Sequence, residues 1–453
     1  MNTVSAGQRN ALRWPWLLLA AVIIVLAASY GWQRWNHRHG PPDPATSEVK
    51  PWFGPRNQAE AVNAATVQID GGREREKSGK SDWLHMEILG DALVGRYRLT
   101  GSYADLAEAD KVLNRAIGMA EFPAGPSLSR AALSVTLHRL DDATKALTRF
   151  DAQKASPHSE EASSALALRG DIAMQRGDYA TAREDYAKAE AAANNAGLAL
   201  RQSMLSLRTG DPELARRRVN AVLRGKRLTR LAKAQAAIQR ATVAYAVGDW
   251  TTAGRWARFA DGFFPGNWLN EAFVAQQAAV EGRPDEAARR YADIANRTNA
   301  PEVMDALAHL LRLQGKGQES RAWADRAGAI WAERLQALPE AAAAHVVEHE
   351  LAVGDPRRAL ALARQDAARR PHGATLALLA RAQLLTGDPA GALATIERAE
   401  KGGWCSALLL MQKAEALDAL GRGDDAEDAR KAALKINPKA ADPAARFVWF
   451  GHD

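Results

Sequence analysis

A glycine that recurs every 33 to 39 residues constrains this 453-residue chain more than any other feature of its sequence. Between successive glycines lie two stretches of about 12 to 16 residues with helical composition. Glycine suits the end of a helix because, without a Cβ atom, it adopts the left-handed conformation at little cost. Such a period predicts an array of helix–turn–helix units. The recurring positions are Gly177, Gly210, Gly248, Gly282, Gly315, Gly354, Gly387 and Gly421.

The amino-acid composition agrees with an all-α fold and excludes several other classes. Aromatic residues make up only 6 % of the chain, which is too few for an all-β sandwich or barrel. The one cysteine, Cys405, cannot form an internal disulfide or a thiolate metal centre by itself. The 60 basic and 53 acidic residues are mixed along the chain, so its formal charge of +7 gives no reason to expect nucleic-acid binding.

Residues 170–189 form the clearest unit of the array. Small residues stand where two helices would touch, a glycine stands at the turn, and aromatic residues stand where they would fill the space between neighbouring units. These positions are Gly170, Gly177, Tyr179, Ala182, Tyr186 and Ala189. In this pattern the unit resembles the tetratricopeptide repeat family.

Other units repeat this pattern with departures. The Gly248 unit carries Trp250, Ala253 and Ala260, and it ends at Pro265. Four units have proline two residues after the glycine, which suits the first turn of a helix: Pro212, Pro284, Pro356 and Pro389. Gly101 marks a further turn, and residues 139–142 a degenerate one without glycine. The resemblance therefore implies an α-solenoid of about eight to ten units over residues 83–440.

The resemblance also implies a function, because the concave groove of such arrays binds extended peptides or helices of other proteins. Inward-facing residues of the first helices, most of them six to thirteen positions before a turn glycine, are expected to line that groove, and four arginines among them would make it partly cationic. The predicted groove residues are Arg201, Met204, Arg208, Gln239, Thr242, Tyr245, Gln276, His309, Arg312, Glu348 and Arg381. Trp268 and Phe273 are expected to fill core between units.

The N-terminal region predicts a membrane anchor. Residues 14–33 carry no charge and have aromatic residues at both ends, and a helix of that length spans about 30 Å, the thickness of a bilayer core. A cleaved signal peptide is the alternative, since residues 27–29 are small. A stub of residues 1–13 before one span and a large domain predicts a bacterial inner-membrane protein with its bulk in the periplasm.

Residues 34–82 are expected to form a linker, because prolines and glycines interrupt them. Gly79, Lys80 and Ser81 end this region like a phosphate-binding loop, but that loop needs a glycine where Glu74 stands. A solvated loop without bound nucleotide is therefore expected. At the other end, residues 441–453 carry an apolar run that would cap the last helix pair, with a partner-docking tail as the alternative.

One motif predicts different chemistry. His345, Glu348 and His349 match the H-x-x-E-H spacing of inverted zinc peptidases, in which two histidines hold Zn²⁺ and the glutamate is the general base. Glu397 or Glu415 would have to supply a third ligand. The sequence therefore predicts a membrane-anchored interaction scaffold without a cofactor, and a zinc-dependent hydrolase is the alternative. The partners of the scaffold would be other proteins and the lipid bilayer. Its role would be in envelope complex assembly or polysaccharide export.

Overall fold

The computed structural model describes residues 53–225 and 228–451, which belong to one compact unit covering residues 50–453. These residues form 21 α-helices and a short C-terminal 3₁₀ helix, Pro443–Phe447. The α-helices are α1 Gln58–Lys77, α2 Trp83–Thr100, α3 Tyr103–Met119, α4 Ser127–Thr136, α5 Leu140–Asp151, α6 Ser159–Gln175, α7 Tyr179–Ala192, α8 Ala196–Arg208, α9 Pro212–Leu223, α10 Arg230–Ala246, α11 Trp250–Phe263, α12 Trp268–Val280, α13 Pro284–Thr298, α14 Pro301–Leu313, α15 Gly317–Ala337, α16 Pro339–Val353, α17 Pro356–Arg369, α18 Gly373–Leu385, α19 Pro389–Gly402, α20 Ala407–Ala419 and α21 Gly423–Ile436.

From α2 onward the helices pack as ten consecutive pairs, α2 with α3 through α20 with α21. The all-α repeat array predicted from the glycine period is therefore confirmed, and the chain is a tetratricopeptide-like solenoid. The predicted anchor, residues 14–33, and the stub before it lie outside the described residues. Within the described ranges, no helix combines the length and the apolar character that a membrane span requires.

The turn glycines have the conformation that the sequence predicts, with one exception. Gly177 has a φ of +76° and Gly282 a φ of +81°, in the left-handed region that L-residues avoid. Gly354 differs, with a φ of −113°. There the side chain of Glu350 accepts a hydrogen bond from the backbone N–H of Asp355 at 2.7 Å, and its carboxylate fills the space that a Cβ of residue 354 would need. Gly354 is thus required for space rather than for a positive φ.

The packing inside the clearest unit also agrees with its sequence pattern. Ala182 is fully buried in α7, and the ring of Tyr186 lies directly against Gly170 of α6, where a Cβ would overlap it. The Tyr186 hydroxyl donates a hydrogen bond to Asp171 at 2.7 Å. The longest glycine interval, 39 residues, contains α15, which at 21 residues is longer than the other second helices.

Part of the expected linker is helical, which corrects the sequence interpretation of residues 34–82. The side chain of Asn57 caps α1 by accepting from the N–H of Glu60, and Ile69 of α1 is fully buried. Arg73 joins α1 to α3 through an ion pair with Glu108 at 2.6 Å. The alternating charges thus serve a packed helix. Residues 71–77 use their backbone N–H groups in that helix rather than in a phosphate-binding loop.

Turns of the first five pairs contact residues that lie five to seven pairs further along the chain. The partners are up to 238 residues apart in sequence. We call this line of contacts the seam. Its hydrogen bonds join Tyr103 to Ala341, Arg139 to Glu340, Tyr179 to Gly373, Arg208 to Cys405 and Tyr245 to Asn437. In a simple solenoid each repeat touches only its neighbours, so the seam adds long-range contacts that the glycine period did not predict.

Trp404 is the centre of the seam. The ring is buried under the guanidinium of Arg208, whose carbon lies 5.4 Å from the ring centroid, and beside Tyr179 at 5.9 Å. Gly373 lies against the same ring and leaves no space for a Cβ atom. The backbone N–H of Gly373 donates to the Tyr179 hydroxyl at 2.8 Å, and burial raises the pKa of that hydroxyl to about 12. The seam is thus a packed interface with matched hydrogen bonds.

Gly177→Ala should destabilise the fold more than Gly282→Ala, by about 1–3 kcal/mol. Both alanines would adopt a positive φ, which costs about 1–2 kcal/mol. At Gly177 a Cβ would also lie 2.8 Å from the carbonyl oxygen of Pro371 across the seam, whereas at Gly282 it meets nothing within 4 Å. Urea unfolding of both variants of the full chain measures the difference. Equal losses would contradict a close contact between Gly177 and Pro371.

The second pair turns without glycine, as the sequence indicates, and His138 takes the left-handed conformation with a φ of +59°. Its Nδ1 lies 2.8 Å from the side-chain oxygen of Gln175. Burial lowers the pKa of His138 to about 3, and the positive charge of Arg370 acts in the same direction. In mild acid the folded protein therefore keeps this ring neutral, whereas the same histidine in the unfolded chain, with a pKa of about 6.5, is protonated.

His138 should make stability fall in mild acid. Between about pH 6.5 and about pH 3 the unfolded chain binds a proton that the folded chain does not, so the free energy of unfolding falls as pH drops, by up to about 1.4 kcal/mol per pH unit. In the variant His138→Asn, the asparagine tolerates the left-handed conformation and has no titratable group. Urea unfolding at several pH values should show a shallower acid loss for the variant than for the wild type. Parallel curves would contradict a neutral His138.

Candidate partner-binding surface

First helices of the pairs line two separate pockets, and we call the face that these helices present the inner groove. At its start, α2, α4, α6 and α8 enclose a pocket of about 390 Å³. Arg98 and Arg201 lie on the wall of this pocket, together with hydroxyl groups of Ser129 and Ser164. Burial in the groove lowers the pKa of Arg98, and the charge of Arg201 lowers it further. Two guanidinium groups thus face one pocket.

The four predicted groove arginines have different environments. Arg201 forms an ion pair with Asp171 at 2.9 Å, and Arg381 one with Glu415 at 2.6 Å. Arg208 is only 3 % exposed and belongs to the seam. Arg312 is exposed on α14. The groove is therefore less cationic than four free arginines would make it, because neighbouring carboxylates and burial take up three of them.

Gln276 of α12 holds the backbone of a turn against the groove. This side chain is fully buried. Its oxygen accepts hydrogen bonds from the N–H groups of Trp449 and Phe450, both at 2.7 Å, and its amide nitrogen donates to the carbonyl of Phe450 at 3.1 Å. The bound segment is the chain's own C-terminal tail, residues 443–451. One side chain thus satisfies three backbone groups of the tail.

The side chains of the tail fill an aromatic part of the groove. The ring of Phe450 packs against Phe273 and Tyr291, with centroid distances of 6.0 and 6.2 Å. Trp449 packs against His309 at 5.3 Å. The Nε2 of His309 donates a hydrogen bond to the carbonyl of Arg446 at 3.0 Å. The groove thus binds both the backbone and the rings of the tail.

Gly451 completes the contact with the groove. It has a φ of +79°, and a Cβ at this position would lie 2.8 Å from the hydroxyl oxygen of Thr242 and 3.2 Å from the ring of Phe273. A larger residue would therefore meet both a conformational and a steric barrier. Beside the tail, α12, α14, α15 and α16 leave a cavity of about 230 Å³.

The eleven predicted groove residues fall into groups. Thr242, Gln276 and His309 touch the tail. The Tyr245 hydroxyl donates to Gln277 at 2.6 Å, so this residue belongs to the core. Gln239 donates to the carbonyl of Leu200 at 2.7 Å. The remaining two are Met204, which packs against a small apolar cluster, and Glu348, which lines the 230 Å³ cavity. Partner binding by all eleven stays a prediction.

The H-x-x-E-H motif lies on α16 with a different partner for each histidine. The Nδ1 of His345 donates to Glu348 at 3.2 Å, and that of His349 donates to Asp305 at 2.6 Å. The Nε2 of His349 faces Gly328, where a Cβ would lie 3.1 Å away. In the described ranges, no cluster of three or more His, Cys, Asp or Glu residues is arranged to hold a metal ion.

Carboxylates also favour the protonated form of both histidines. Burial disfavours a charged His349, but its hydrogen bond with Asp305 and the charge of that group outweigh burial and raise the pKa of His349. His345 is 45 % exposed, yet protein surrounds it inside the groove. Burial again opposes its charge, while the hydrogen bond that His345 donates to Glu348 raises the pKa of His345. Zinc binds neutral imidazole, so raised pKa values weaken a metal site.

Sequence reasoning missed that the groove is occupied by the tail. The only sequence signal was the apolar run Phe447, Val448, Trp449 and Phe450 after Pro443, which we interpreted as a cap. Ala445 and Val448 do line a seam cavity of about 400 Å³ with Leu408 of α20, so a capping role stays a prediction. The contacts with α12 and α14 could not be derived from a local pattern, because they join residues 137 and 174 positions apart.

No known protein family model and no curated protein matches this chain. Among solved structures, it is similar to a Rap protein complexed with competence and sporulation factor, at 13 % identity and a TM-score of 0.41 over 70 % of this chain and 98 % of that one. It is also similar to yeast Tom70, at 13 % identity and a TM-score of 0.34, over 84 % of this chain and 99 % of that one. A tetratricopeptide repeat protein from Parabacteroides merdae gives 15 % identity and a TM-score of 0.33, over 53 % and 93 %. These likenesses are too distant to carry an argument about function.

Proposed function

We propose that this protein is an interaction scaffold that binds a peptide segment of a partner protein in its inner groove. The observation that carries this proposal is the hydrogen bonding of Gln276 to the backbone of the tail. Backbone hydrogen bonds supply affinity that does not depend on the side chains of the bound segment, and pockets for those side chains supply specificity. The groove already performs both tasks on a segment of this chain.

The remainder of the groove offers room for more of a partner. The 390 Å³ pocket lies on first helices nearer the N-terminus than α12 and is lined by Arg98, Arg201 and the carboxylate-bearing Asp91. Guanidinium groups bind carboxylates in a planar, two-point manner. A partner segment whose aromatic residues occupy the middle of the groove could therefore place an acidic side chain or its terminal carboxylate in this pocket.

Photo-crosslinking in cells tests the groove as the binding surface. A photoreactive amino acid would replace Arg98 or Arg312, which are exposed on first helices. The matched control is the same replacement at Arg289, which is exposed on the second helix α13. We expect a discrete crosslinked partner from the two groove positions and none from Arg289. Crosslinks from Arg289 alone would contradict the proposal.

We further propose that residues 14–33 anchor this scaffold in a bacterial inner membrane, with the repeat array in the periplasm, where it would serve envelope complex assembly. The support is the uncharged run of 20 residues with aromatic flanks. Val22→Arg would raise the free energy of membrane insertion by about 2.5 kcal/mol or more. The variant should therefore be lost from the carbonate-washed membrane fraction. N-terminal sequencing of the purified protein distinguishes an intact anchor from a cleaved signal peptide. Recovery of the wild type in the washed soluble fraction would overturn the proposal.

A further inference from the structure

We infer that the tail, residues 443–451, is a displaceable intramolecular ligand, and that the partner carries a segment of the same chemistry. That segment forms the same turn, with two consecutive aromatic side chains and a glycine directly after them. The inference rests on the proposed function, because it names the kind of partner that the groove accepts. It adds that a partner must compete with the tail for Gln276 and the surrounding rings.

The backbone contacts are the first reason why another segment can replace the tail. Gln276 binds two N–H groups and one carbonyl, which every non-proline chain presents. Both N–H groups belong to consecutive residues, Trp449 and Phe450. Because successive N–H groups of an extended strand point to opposite sides, a partner must present its two residues in the same turn to meet this hydrogen-bonding requirement. Only the side chains then decide which partner fits.

The side-chain contacts restrict that choice to aromatic residues. Phe273 and Tyr291 surround the ring at position 450, and His309 packs against the ring at position 449. Aromatic pairs at such distances are favourable beyond their buried area. An aliphatic residue would fill these places less well. The groove therefore selects two aromatic rings in succession.

The position after the two aromatic residues is the most restrictive part of the site, because it accepts only glycine. At position 451 any Cβ would lie 2.8 Å from the Thr242 hydroxyl oxygen and 3.2 Å from the Phe273 ring. The φ of +79° adds a conformational requirement for glycine. A partner segment with alanine in this place should therefore bind much more weakly than one with glycine.

The way in which the tail is attached makes it displaceable. Its 3₁₀ helix, Pro443–Phe447, contains no buried residue, and Asn437 and Lys439 fix the preceding turn to the seam instead. A segment tethered by a short link has an effective concentration in about the millimolar range. A tail that binds with an intrinsic Kd of about 100 μM would then lower a partner's apparent affinity by roughly tenfold.

A peptide with the sequence of residues 443–451 provides the probe. Its fluorescein-labelled form is titrated with the full chain, and fluorescence anisotropy reports binding. We expect the double variant Trp449→Ala and Phe450→Ala to bind the peptide at least about tenfold more tightly than the wild type, because its own tail leaves the groove. Arg289→Gln is the control, since this side chain is exposed on the second helix α13, away from the tail and its contacts. It should behave as the wild type.

Two further measurements separate a vacated groove from a damaged one. Gly451→Ala in the full chain weakens the contact of the tail with the groove without removing its aromatic rings. This variant should therefore also bind the labelled peptide more tightly than the wild type. The peptide with alanine in place of its glycine should bind the double variant at least about tenfold more weakly. Circular dichroism of each variant, with and without peptide, verifies that the helices are intact.

Equal peptide affinity of wild type, double variant and Gly451→Ala would overturn the inference. So would undetectable binding to both variants while their helices remain intact. Neither result would affect the proposed function, which the crosslinks from Arg98 and Arg312 decide. Conversely, tight peptide binding by the double variant without any crosslinked partner in cells would support the tail as a ligand and contradict the scaffold proposal.

Discussion

Trp331→Ala is expected to lower the free energy of unfolding by about 3–5 kcal/mol, as is typical for loss of a buried tryptophan. Trp331 of α15 is only 2 % exposed. Its indole N–H donates to Asp305 at 2.7 Å, and its ring stacks on His345 at 5.4 Å. It also meets the ring of Tyr103 across the seam, at 6.5 Å. One truncation thus removes packing inside the seventh pair and between distant pairs.

Two comparison variants separate the contribution of the indole hydrogen bond from that of the buried ring. Trp331→Phe keeps most of the ring but leaves Asp305 without the indole donor, which should cost about 1–3 kcal/mol. Trp323→Ala, on the same helix, removes a half-buried ring that packs at the edge of the core and under the guanidinium of Arg326, 5.1 Å away. We expect a smaller loss of about 1–2 kcal/mol for that change. Urea unfolding of the full chain, followed by circular dichroism, measures all three. A similar loss for Trp323→Ala and Trp331→Ala would contradict the assigned role.

Gln276→Met should release the tail from the inner groove. Methionine has a similar length but cannot replace the amide, so the N–H groups of Trp449 and Phe450 and one carbonyl would lose their partner. Leaving such groups unsatisfied in a buried site should weaken tail binding by about 3 kcal/mol, or roughly 100-fold. Hydrogen exchange at the amides of Trp449 and Phe450 measures this change directly.

The neighbouring residue supplies the matched control for this prediction. Gln277 is also buried, at 2 % exposure, but it accepts from the Tyr245 hydroxyl and donates to Glu281. Gln277→Met should therefore destabilise the core while the two tail amides keep their relative protection. If Gln276→Met left the protection of those amides unchanged, Gln276 would not hold the tail.

The repeat architecture could be predicted because its causes are local. A positive φ at Gly177 and a close helix crossing at Gly170 each depend on residues within one unit, so they recur with the period of the sequence. The prolines at positions 212, 284, 356 and 389 likewise begin second helices. Gly354 shows the limit of this reasoning, because the carboxylate of Glu350, rather than backbone conformation, explains it.

The seam and the occupied groove could not be predicted because their causes are distant in sequence. Which turn meets Trp404 depends on small rotations that accumulate over six pairs, and no single unit encodes that sum. Gly373 looked like an ordinary glycine near a helix start, although the Trp404 ring requires it. Similarly, Gln276 and Phe450 carry no signal that relates them until the chain has coiled.

The seam has a consequence for how such a chain can change its length. Each contact along it depends on the number of helix pairs between the two partners, as between Tyr179 and Gly373. Duplication or loss of one pair in that interval would shift every later partner by about 34 residues and bring mismatched surfaces together. Insertion before the first contact would be tolerated, whereas insertion in the middle would not. The number of repeats is therefore a fixed dimension of this architecture, comparable to the strand number of a closed barrel.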